Sequence, residues 1–211
     1  MSYIGRFAPS PSGSLHFGSL IAALGSYLRA HSLAGQWLVR MEDLDPPREV
    51  KGASDEILRT LEAYGLNWHD SVLYQSKRSQ AYQDCIEQLL ANNQAYYCQC
   101  TRKMINAMGG VYDGRCGSGV KSHSSGAIRL RNSAKVDHFC DINRGGIWVD
   151  QAFATEDFII KRSDGLFAYQ LAVVLDDAFQ GITEVVRGSD LLEASCMQIC
   201  LFNMLNIPAP T

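Results

Sequence analysis

A glycine- and serine-rich loop near the start of the sequence has the composition of a phosphate-binding site. It follows a short apolar stretch and runs into His16-Phe17-Gly18-Ser19, where an amphipathic segment begins. The free N–H groups at the start of a helix carry partial positive charge and can bind phosphate. Gly18 would let a ligand approach the backbone closely, and His16 offers a hydrogen-bond donor. The same residues also fit a capped helix start with a surface histidine, and spacing alone leaves both interpretations open.

Three cysteines lie within twenty residues in a part of the sequence that has no core-like pattern. Cys98 and Cys100 form a Cys-x-Cys pair, and Cys116 follows after a glycine-rich stretch. Cysteine thiolates are common ligands of structural zinc, which is usually four-coordinate. The Cys-x-Cys spacing is tighter than that of most zinc fingers, and three cysteines leave one position of a tetrahedron open. The pattern favours a zinc site, with unlinked thiols as the alternative.

A glutamate follows the second strand-like segment of the sequence. Residues 37–41 are mostly apolar, and Glu42 comes directly after them. Open α/β sheets bind their ligands beyond the carboxyl ends of the parallel strands, which is the position that Glu42 would occupy. Asp43 and Asp45 come next, and we interpret both as residues of a solvated turn or helix entry.

The order of apolar patterns predicts an α/β fold with a parallel sheet. Strand-like and helical segments alternate over roughly the first 75 residues, as is typical of βαβ units. Helical periodicity disappears between 97 and 149, where Gly, Ser and Cys accumulate. We predict strands over 3–7, 37–41, 158–162 and 182–186, and helices over 17–34, 54–64, 79–92, 167–178 and 192–205.

The composition excludes several classes of protein. Nineteen Lys and Arg against 22 Asp and Glu give a net charge of −3, which argues against a protein that coats nucleic acid through bulk charge. A hydrophobic content of 46% argues against a disordered, collagen-like or coiled-coil chain. The N-terminus lacks a secretory pattern, and no stretch is long enough to span a bilayer. With seven cysteines, an odd number, we expect a cytoplasmic protein with no membrane partner.

The loop GRFAPSPSGSLHFGSL closely resembles the first signature of class I aminoacyl-tRNA synthetases, in the form used by glutamyl enzymes. The resemblance extends across nearly the whole sequence and implies ATP-dependent formation of an aminoacyl-adenylate, with Mg²⁺ accompanying ATP. It also implies ATP contacts at Ala8, Pro9, His16 and Gly18. The family signature is normally His-Ile-Gly-His, so Ser19 replaces the second histidine. His16, Gly18 and Ser19 thereby take the catalytic positions, although a serine cannot carry charge.

The same resemblance implies a pocket for glutamate. It assigns Glu42 to the ammonium group of the substrate and places the ring and hydroxyl of Tyr169 in the pocket. Arg6 and Arg187 can pair with the two carboxylates, and Ser10 can add a neutral hydrogen bond. This charge count fits glutamate better than glutamine. Without the resemblance, Tyr169 would be interpreted as an interior helix tyrosine.

The cysteine cluster resembles that of one branch of this family, the glutamyl-Q tRNA(Asp) synthetases. The shared pattern is Cys-x-Cys-x11-Tyr-x3-Cys, in which the tyrosine hydroxyl is the fourth zinc ligand. The match implies one structural Zn²⁺ held by Cys98, Cys100, Tyr112 and Cys116. The branch activates glutamate without tRNA and transfers it to the queuosine base in the anticodon of tRNA(Asp). Ser19 and the run over 183–190 also favour this branch.

Two other functions stay open at the level of the sequence. One is the catalytic fragment of an ordinary glutamyl-tRNA synthetase, and the other is a zinc-containing RNA-binding module without catalysis. The second class I signature, Lys-Met-Ser-Lys-Ser, supplies a lysine that stabilises the pyrophosphate leaving group. No similar motif occurs in the 211 residues.

These observations divide the sequence into three parts. We expect the first half of a Rossmann-like nucleotide-binding domain at 1–96 and a zinc-containing insertion at 97–150. The second half of the catalytic domain is expected at 151–211, truncated before the second signature. We expect the protein to be a monomer.

Overall fold

The computed structural model describes residues 2–118 and 125–211, so a few residues of the predicted insertion at 97–150 lie outside the described part. The chain forms two compact units. Unit 1 comprises Met1–Arg78, Asp176–Leu191 and Ala209–Thr211, and unit 2 comprises Ser79–Leu175 and Leu192–Pro208. Within the described residues, no helix is both long and apolar enough to cross a membrane.

A three-stranded parallel sheet forms the centre of unit 1. Strand β2 (Gln36–Met41) lies between β1 (Ile4–Phe7) and β3 (Leu73–Tyr74). The register pairs Phe7 with Val39. Five of the six residues of β2 are buried, as expected for a parallel strand that is covered on both faces. The parallel sheet predicted from the sequence is therefore confirmed in this unit.

Two helices cover this sheet, and their apolar spacing explains their burial. Helix α1 (Phe17–Ser32) connects β1 to β2. Helix α2 (Ala53–Ala63) buries one residue per turn, at Ala53, Ile57 and Leu61. It begins one residue before Ser54, because Gly52, whose φ of 83° lies in the left-handed region, occupies the cap position. Short 3₁₀ turns occur at Pro46–Arg48, Gln75–Arg78 and Ser189–Leu191.

The predicted strand over 182–186 is wrong. The segment does lie beside β1, and the N–H of Thr183 donates to the carbonyl of Ile4 at 2.9 Å. The N–H of Ile4, however, donates to the side-chain hydroxyl of Thr183, also at 2.9 Å. A regular strand ladder would supply a backbone carbonyl at that position. The hydroxyl takes its place, so the segment is extended without continuing the sheet.

Unit 2 contains an antiparallel sheet rather than further parallel strands. Strand β5 (Ala127–Leu130) lies between β4 (Ala95–Cys98) and β8 (Ile159–Lys161). The strand predicted at 158–162 is therefore present, but it pairs in the opposite direction to the parallel pattern we expected it to resume. A separate hairpin is formed by β6 (His138–Asp141) and β7 (Gly145–Trp148).

Three helices of unit 2 follow the predicted periodicity, and two shorter ones were not predicted. The expected helices correspond to α3 (Ser79–Ala91), α6 (Tyr169–Phe179) and α7 (Leu192–Met204), and the last four residues of α6 belong to unit 1. Helix α4 (Arg102–Ala107) lies where no helical periodicity was found. Its start is local in origin, because the Thr101 hydroxyl accepts a hydrogen bond from the N–H of Met104 at 3.3 Å. Helix α5 (Gln151–Thr155) is a single short turn.

Candidate functional site

The start of α1 brings together the three residues predicted to handle phosphate. His16 is the N-cap, and its Nδ1 accepts a hydrogen bond from the N–H of Ser19 at 3.2 Å. Nε2 of the same ring lies 3.1 Å from the hydroxyl of Ser19. With Nδ1 as acceptor, the ring proton of a neutral His16 is on Nε2, which donates to that hydroxyl. His16 and Gly18 are exposed, so a ligand can reach this helix start.

The ring of His16 limits the space for a side chain at Gly18. A Cβ atom at this position would lie 3.0 Å from Cε1 and 3.2 Å from Nδ1 of His16. A larger residue would therefore push the ring away from Ser19. The glycine keeps the cap of α1 in the observed arrangement.

The loop after β1 is tied to the residue that follows β2. The N–H of Glu42 donates to the carbonyl of Pro9 at 2.9 Å. Pro9 is buried, Ala8 is partly buried and Ser10 is exposed. This backbone hydrogen bond holds the proposed ATP loop and the proposed ammonium-binding carboxylate at one edge of the sheet, beyond the carboxyl ends of β1 and β2.

A buried network of charged side chains lies next to this edge. The carboxylate of Asp177 accepts from Arg6 at 3.1 Å (Nε) and 3.4 Å (Nη2), and from Nη1 of Arg40 at 2.8 Å. Arg40 also donates to Gln180 at 2.8 Å and lies 3.5 Å from Glu42. We name Arg6, Arg40, Glu42 and Asp177 the charge network. It contains two cationic and two acidic groups, all with side chains less than a tenth exposed.

Burial and neighbouring charges shift the pKa values inside the charge network in different directions. Burial raises the pKa of Glu42 to about 7, against the opposing effect of Arg40 and Arg6. Burial also acts to raise the pKa of Asp177, but Arg6 and Arg40 together hold the pKa of this carboxyl below its usual range. Asp177 is therefore ionised at neutral pH, whereas Glu42 changes its charge near neutrality.

Three members of this region were missed by the sequence interpretation. Arg40 lies within the predicted strand over 37–41, and Asp176 and Asp177 lie at the end of the helix predicted over 167–178. Asp176 is fully buried and accepts from Arg78 at 2.9 Å and from Gln75 at 2.9 Å. Two adjacent aspartates at the end of an apolar helix were the available signal, because buried carboxylates require partners.

The remaining predicted glutamate contacts lie in different parts of the chain. Arg187 belongs to unit 1 and follows Val186, whose Cγ1 would lie 3.6 Å from a Cβ atom placed on Gly25 of α1. Tyr169 belongs to unit 2 and is the first residue of α6. Both side chains are partly buried. Of the predicted glutamate contacts, Arg6 and Glu42 are the two that belong to the charge network.

The three predicted cysteine ligands converge in unit 2. The Sγ atoms of Cys98, Cys100 and Cys116 all lie within 4.8 Å of one another, and those of Cys100 and Cys116 are 3.6 Å apart. A tetrahedral site with Zn–S bonds of about 2.3 Å requires sulfur atoms roughly 3.8 Å apart. The thiol positions therefore fit a zinc ion, and the donor set is the one that structural zinc prefers.

Tyr112 lies inside the same cluster. It is buried, and its hydroxyl oxygen accepts a hydrogen bond from the N–H of Cys116 at 2.8 Å. The guanidinium of Arg129 stacks on the ring of Tyr112, with its central carbon 3.8 Å from the ring centre. Burial acts to raise the pKa of Cys116, but hydrogen bonds led by that from Tyr112 lower it below its usual value. The hydroxyl is thus held beside a thiol whose pKa it helps to lower.

Gly126 allows the chain to pass close to the first cysteine. Its φ is 121°, and a Cβ atom there would lie 2.5 Å from the carbonyl oxygen of Cys98. No other residue type fits this conformation and this distance without moving the backbone. Gly126 therefore helps to set the position of Cys98 at the end of β4.

Comparison with known proteins gives consistent results along the whole chain. The model of the class I tRNA synthetase (E and Q) catalytic domain matches residues 4–211. The chain is 72% identical over 209 residues to the glutamyl-Q tRNA(Asp) synthetase of Shewanella frigidimarina, covering 99% of this chain and 71% of that protein. The protein of that name from Shewanella oneidensis is 69% identical over 208 residues, covering 99% and 70%.

A solved structure has the same fold. The glutamate tRNA ligase from Elizabethkingia meningosepticum, in complex with its amino acid, superposes with a TM-score of 0.87 at 26% identity. The superposition covers 100% of this chain and 48% of that protein. The chain thus spans about 70% of the curated relatives and about half of the solved structure.

Replacing a cysteine of the cluster should abolish zinc binding. We predict that Cys100→Ser loses bound zinc, because two thiolates and a hydroxyl are a much weaker donor set than three thiolates. Metal content after gel filtration, measured by elemental analysis, checks this. Cys140→Ser is the matched control, since Cys140 is exposed and lies outside the cluster. Retention of one zinc per chain by Cys100→Ser would contradict the assignment.

Proposed function

Because this chain belongs to the class I tRNA synthetase family of glutamyl and glutaminyl enzymes, we propose that it activates glutamate with ATP and transfers the glutamyl group to the queuosine base of tRNA(Asp). Members of the family are ligases that use ATP and Mg²⁺. The observation that carries the proposal is the 72% identity over 209 residues to a glutamyl-Q tRNA(Asp) synthetase. Neither an ordinary glutamyl-tRNA synthetase fragment nor a non-catalytic RNA-binding module is favoured by the names of the relatives.

The charge network supports recognition of glutamate. Arg6 has five N–H donors, and its contacts with Asp177 use two of them, which leaves donor capacity for a substrate carboxylate. Glu42, when ionised, complements the substrate ammonium. We propose Arg187 and Ser10 as further ligands of the substrate carboxylates. Tyr169 is a further glutamate contact, which the resemblance to the synthetase family predicts.

The first reaction needs no nucleophile from the protein. An oxygen of the substrate α-carboxylate attacks the α-phosphorus of ATP, and the bond from that phosphorus to the bridging oxygen breaks. The products are glutamyl-adenylate and pyrophosphate. The protein contributes position and charge. At the start of α1, the hydroxyl of Ser19 offers a donor to phosphate oxygens, and the imidazole N–H of His16 offers a second one when it exchanges the Ser19 hydroxyl for a phosphate oxygen. We propose that Ala8, Pro9 and Gly18 line the approach.

Glutamate activation and its acceptor can be measured separately. We predict ATP–pyrophosphate exchange that depends on glutamate and proceeds without tRNA, and transfer of labelled glutamate to tRNA(Asp) that contains queuosine. His16→Ala should slow exchange by roughly a hundredfold, because it removes a donor to the phosphates. tRNA(Asp) without queuosine is the control acceptor. Exchange that requires tRNA(Glu), or equal charging of both forms of tRNA(Asp), would overturn the proposal.

Glutamate affinity should depend on pH through Glu42. Its pKa of about 7 in the free protein means that acidification removes the charge that pairs with the substrate ammonium. The dissociation constant should therefore rise as pH falls below about 7, approaching tenfold per pH unit well below that value. Calorimetric titration of glutamate without ATP, between about pH 5.5 and 8, measures it. Glu42→Gln should bind weakly with a flat profile, whereas a wild-type profile in this variant would exclude Glu42.

The zinc site would serve a structural role in this enzyme. Cys98, Cys100 and Cys116 would hold the ion, which supplies a fixed tetrahedral cross-link when bound, and we propose the hydroxyl oxygen of Tyr112 as its fourth ligand. The proposal rests on the position of that oxygen, 2.8 Å from the N–H of Cys116 and within a cluster of three thiols.

Tyr112→Phe tests the fourth ligand without changing the ring. We predict weaker zinc binding, by about tenfold or more in competition with a chelator, because water must replace a preorganised oxygen. Tyr97→Phe, a change of the same kind on the neighbouring strand β4 outside the cluster, is the matched control. Equal zinc affinity for Tyr112→Phe and the wild type would assign the fourth position to another donor.

A further inference from the structure

We propose that Asp177 is the positioning residue for glutamate recognition, because its single carboxylate fixes both Arg6 and the arginine that contacts Glu42. The inference rests on the proposed function and adds a residue to it. Asp177 accepts three hydrogen bonds, two from Arg6 and one from Arg40. It therefore connects the side chain proposed for a substrate carboxylate with the side chain proposed for the substrate ammonium.

The three partners come from different elements of unit 1. Arg6 is in β1, Arg40 is in β2, and Asp177 is in the part of α6 that belongs to this unit. Arg6 is 3% exposed and Arg40 is 0% exposed, so neither guanidinium can turn into solvent to find another partner. The two forks are held in the observed orientation by one carboxylate, which has about four acceptor positions.

Loss of this carboxylate would affect both ends of the substrate. Arg6 would lose the anchor on its Nε and Nη2 atoms and with it the orientation of its remaining donors. Two buried cations would then face each other without a shared anion, and Arg40 would be drawn towards Glu42, which it already approaches at 3.5 Å. An ion pair between Arg40 and Glu42 competes directly with the substrate ammonium.

The adjacent aspartate provides a matched control. Asp176 is as buried as Asp177, but it accepts hydrogen bonds from Arg78 and Gln75 rather than from Arg6. Asp176→Asn therefore disturbs a buried carboxylate of the same kind on the same helix. A merely structural effect would appear in both variants, whereas a positioning role separates them.

The experiment compares substrates as well as variants. For Asp177→Asn we expect the dissociation constant for glutamate to rise about tenfold or more, with the KM for ATP in exchange changed less than about twofold. Glutarate, which is glutamate without its amino group, reports on the carboxylate side alone and should also bind more weakly. Asp176→Asn should retain affinity for both. Asp177→Glu keeps the charge on a longer side chain and should give an intermediate affinity.

Each outcome supports or overturns the inference. Wild-type protein without glutamate binding or exchange would reject the proposed function itself, before any variant is considered. With an active wild type, unchanged glutamate affinity in Asp177→Asn, or an equal loss in Asp176→Asn, would overturn the positioning role. Circular dichroism establishes that each variant is folded. Should Asp177→Asn not fold, Asp177→Glu decides, because glutamate affinity equal to that of the wild type would then overturn the inference.

Discussion

The arrangement of unit 1 depends on charges that are removed from water and compensate one another. Asp177 between Arg6 and Arg40 is the centre of this arrangement, because a buried ion loses most of its hydration energy and only well-placed partners offset that loss. The partners lie on β1, on β2 and at the end of α6. The register that joins β1 to β2 and the hydrogen bond between Ile4 and Thr183 bring these segments together within unit 1. The same constraint that fixes the fold thus fixes the edge of the sheet where the proposed ligands bind.

In unit 2, the cysteines lie in a small apolar cluster. The buried residues there are Tyr96, Cys98 and Tyr112, with Cys100 and Cys116 packed against them. Such a small apolar cluster contributes little burial, and a metal ion bound by its thiols would contribute binding free energy directly to folding. The glycine at 126 and the stacking of Arg129 on Tyr112 shape the site from outside the ligand set. These contacts act in the manner of the supporting groups that orient metal ligands.

The sequence was informative for several features whose signal is local, although α4, which has a local cap, was not predicted. The helical start at His16, the periodicity of α3 and the position of Glu42 after an apolar strand all follow from neighbouring residues, and the structure contains each of them. The partner of Arg6, however, lies 171 residues away, and that of Arg40 lies 137 residues away. No spacing rule connects such positions. Thr183 illustrates the second limit, because a side-chain hydroxyl replaced a backbone acceptor in a segment whose apolar pattern was that of a strand.

Charge balance connects the network to substrate choice. The net charge of the two arginines and two carboxylates is zero when Glu42 is ionised. Within the proposed function, a further residue must therefore compensate the charge of the substrate. Glutamate carries a net charge of −1 at neutral pH, and Arg187 would compensate it. Glutamine carries no net charge, and its side-chain amide would offer the partly buried Arg187 a neutral acceptor in place of a carboxylate. Glutamate can therefore form a side-chain ion pair with Arg187 that glutamine cannot form, and this difference favours glutamate. The preference depends on Asp177, which keeps both buried guanidinium groups of the charge network paired.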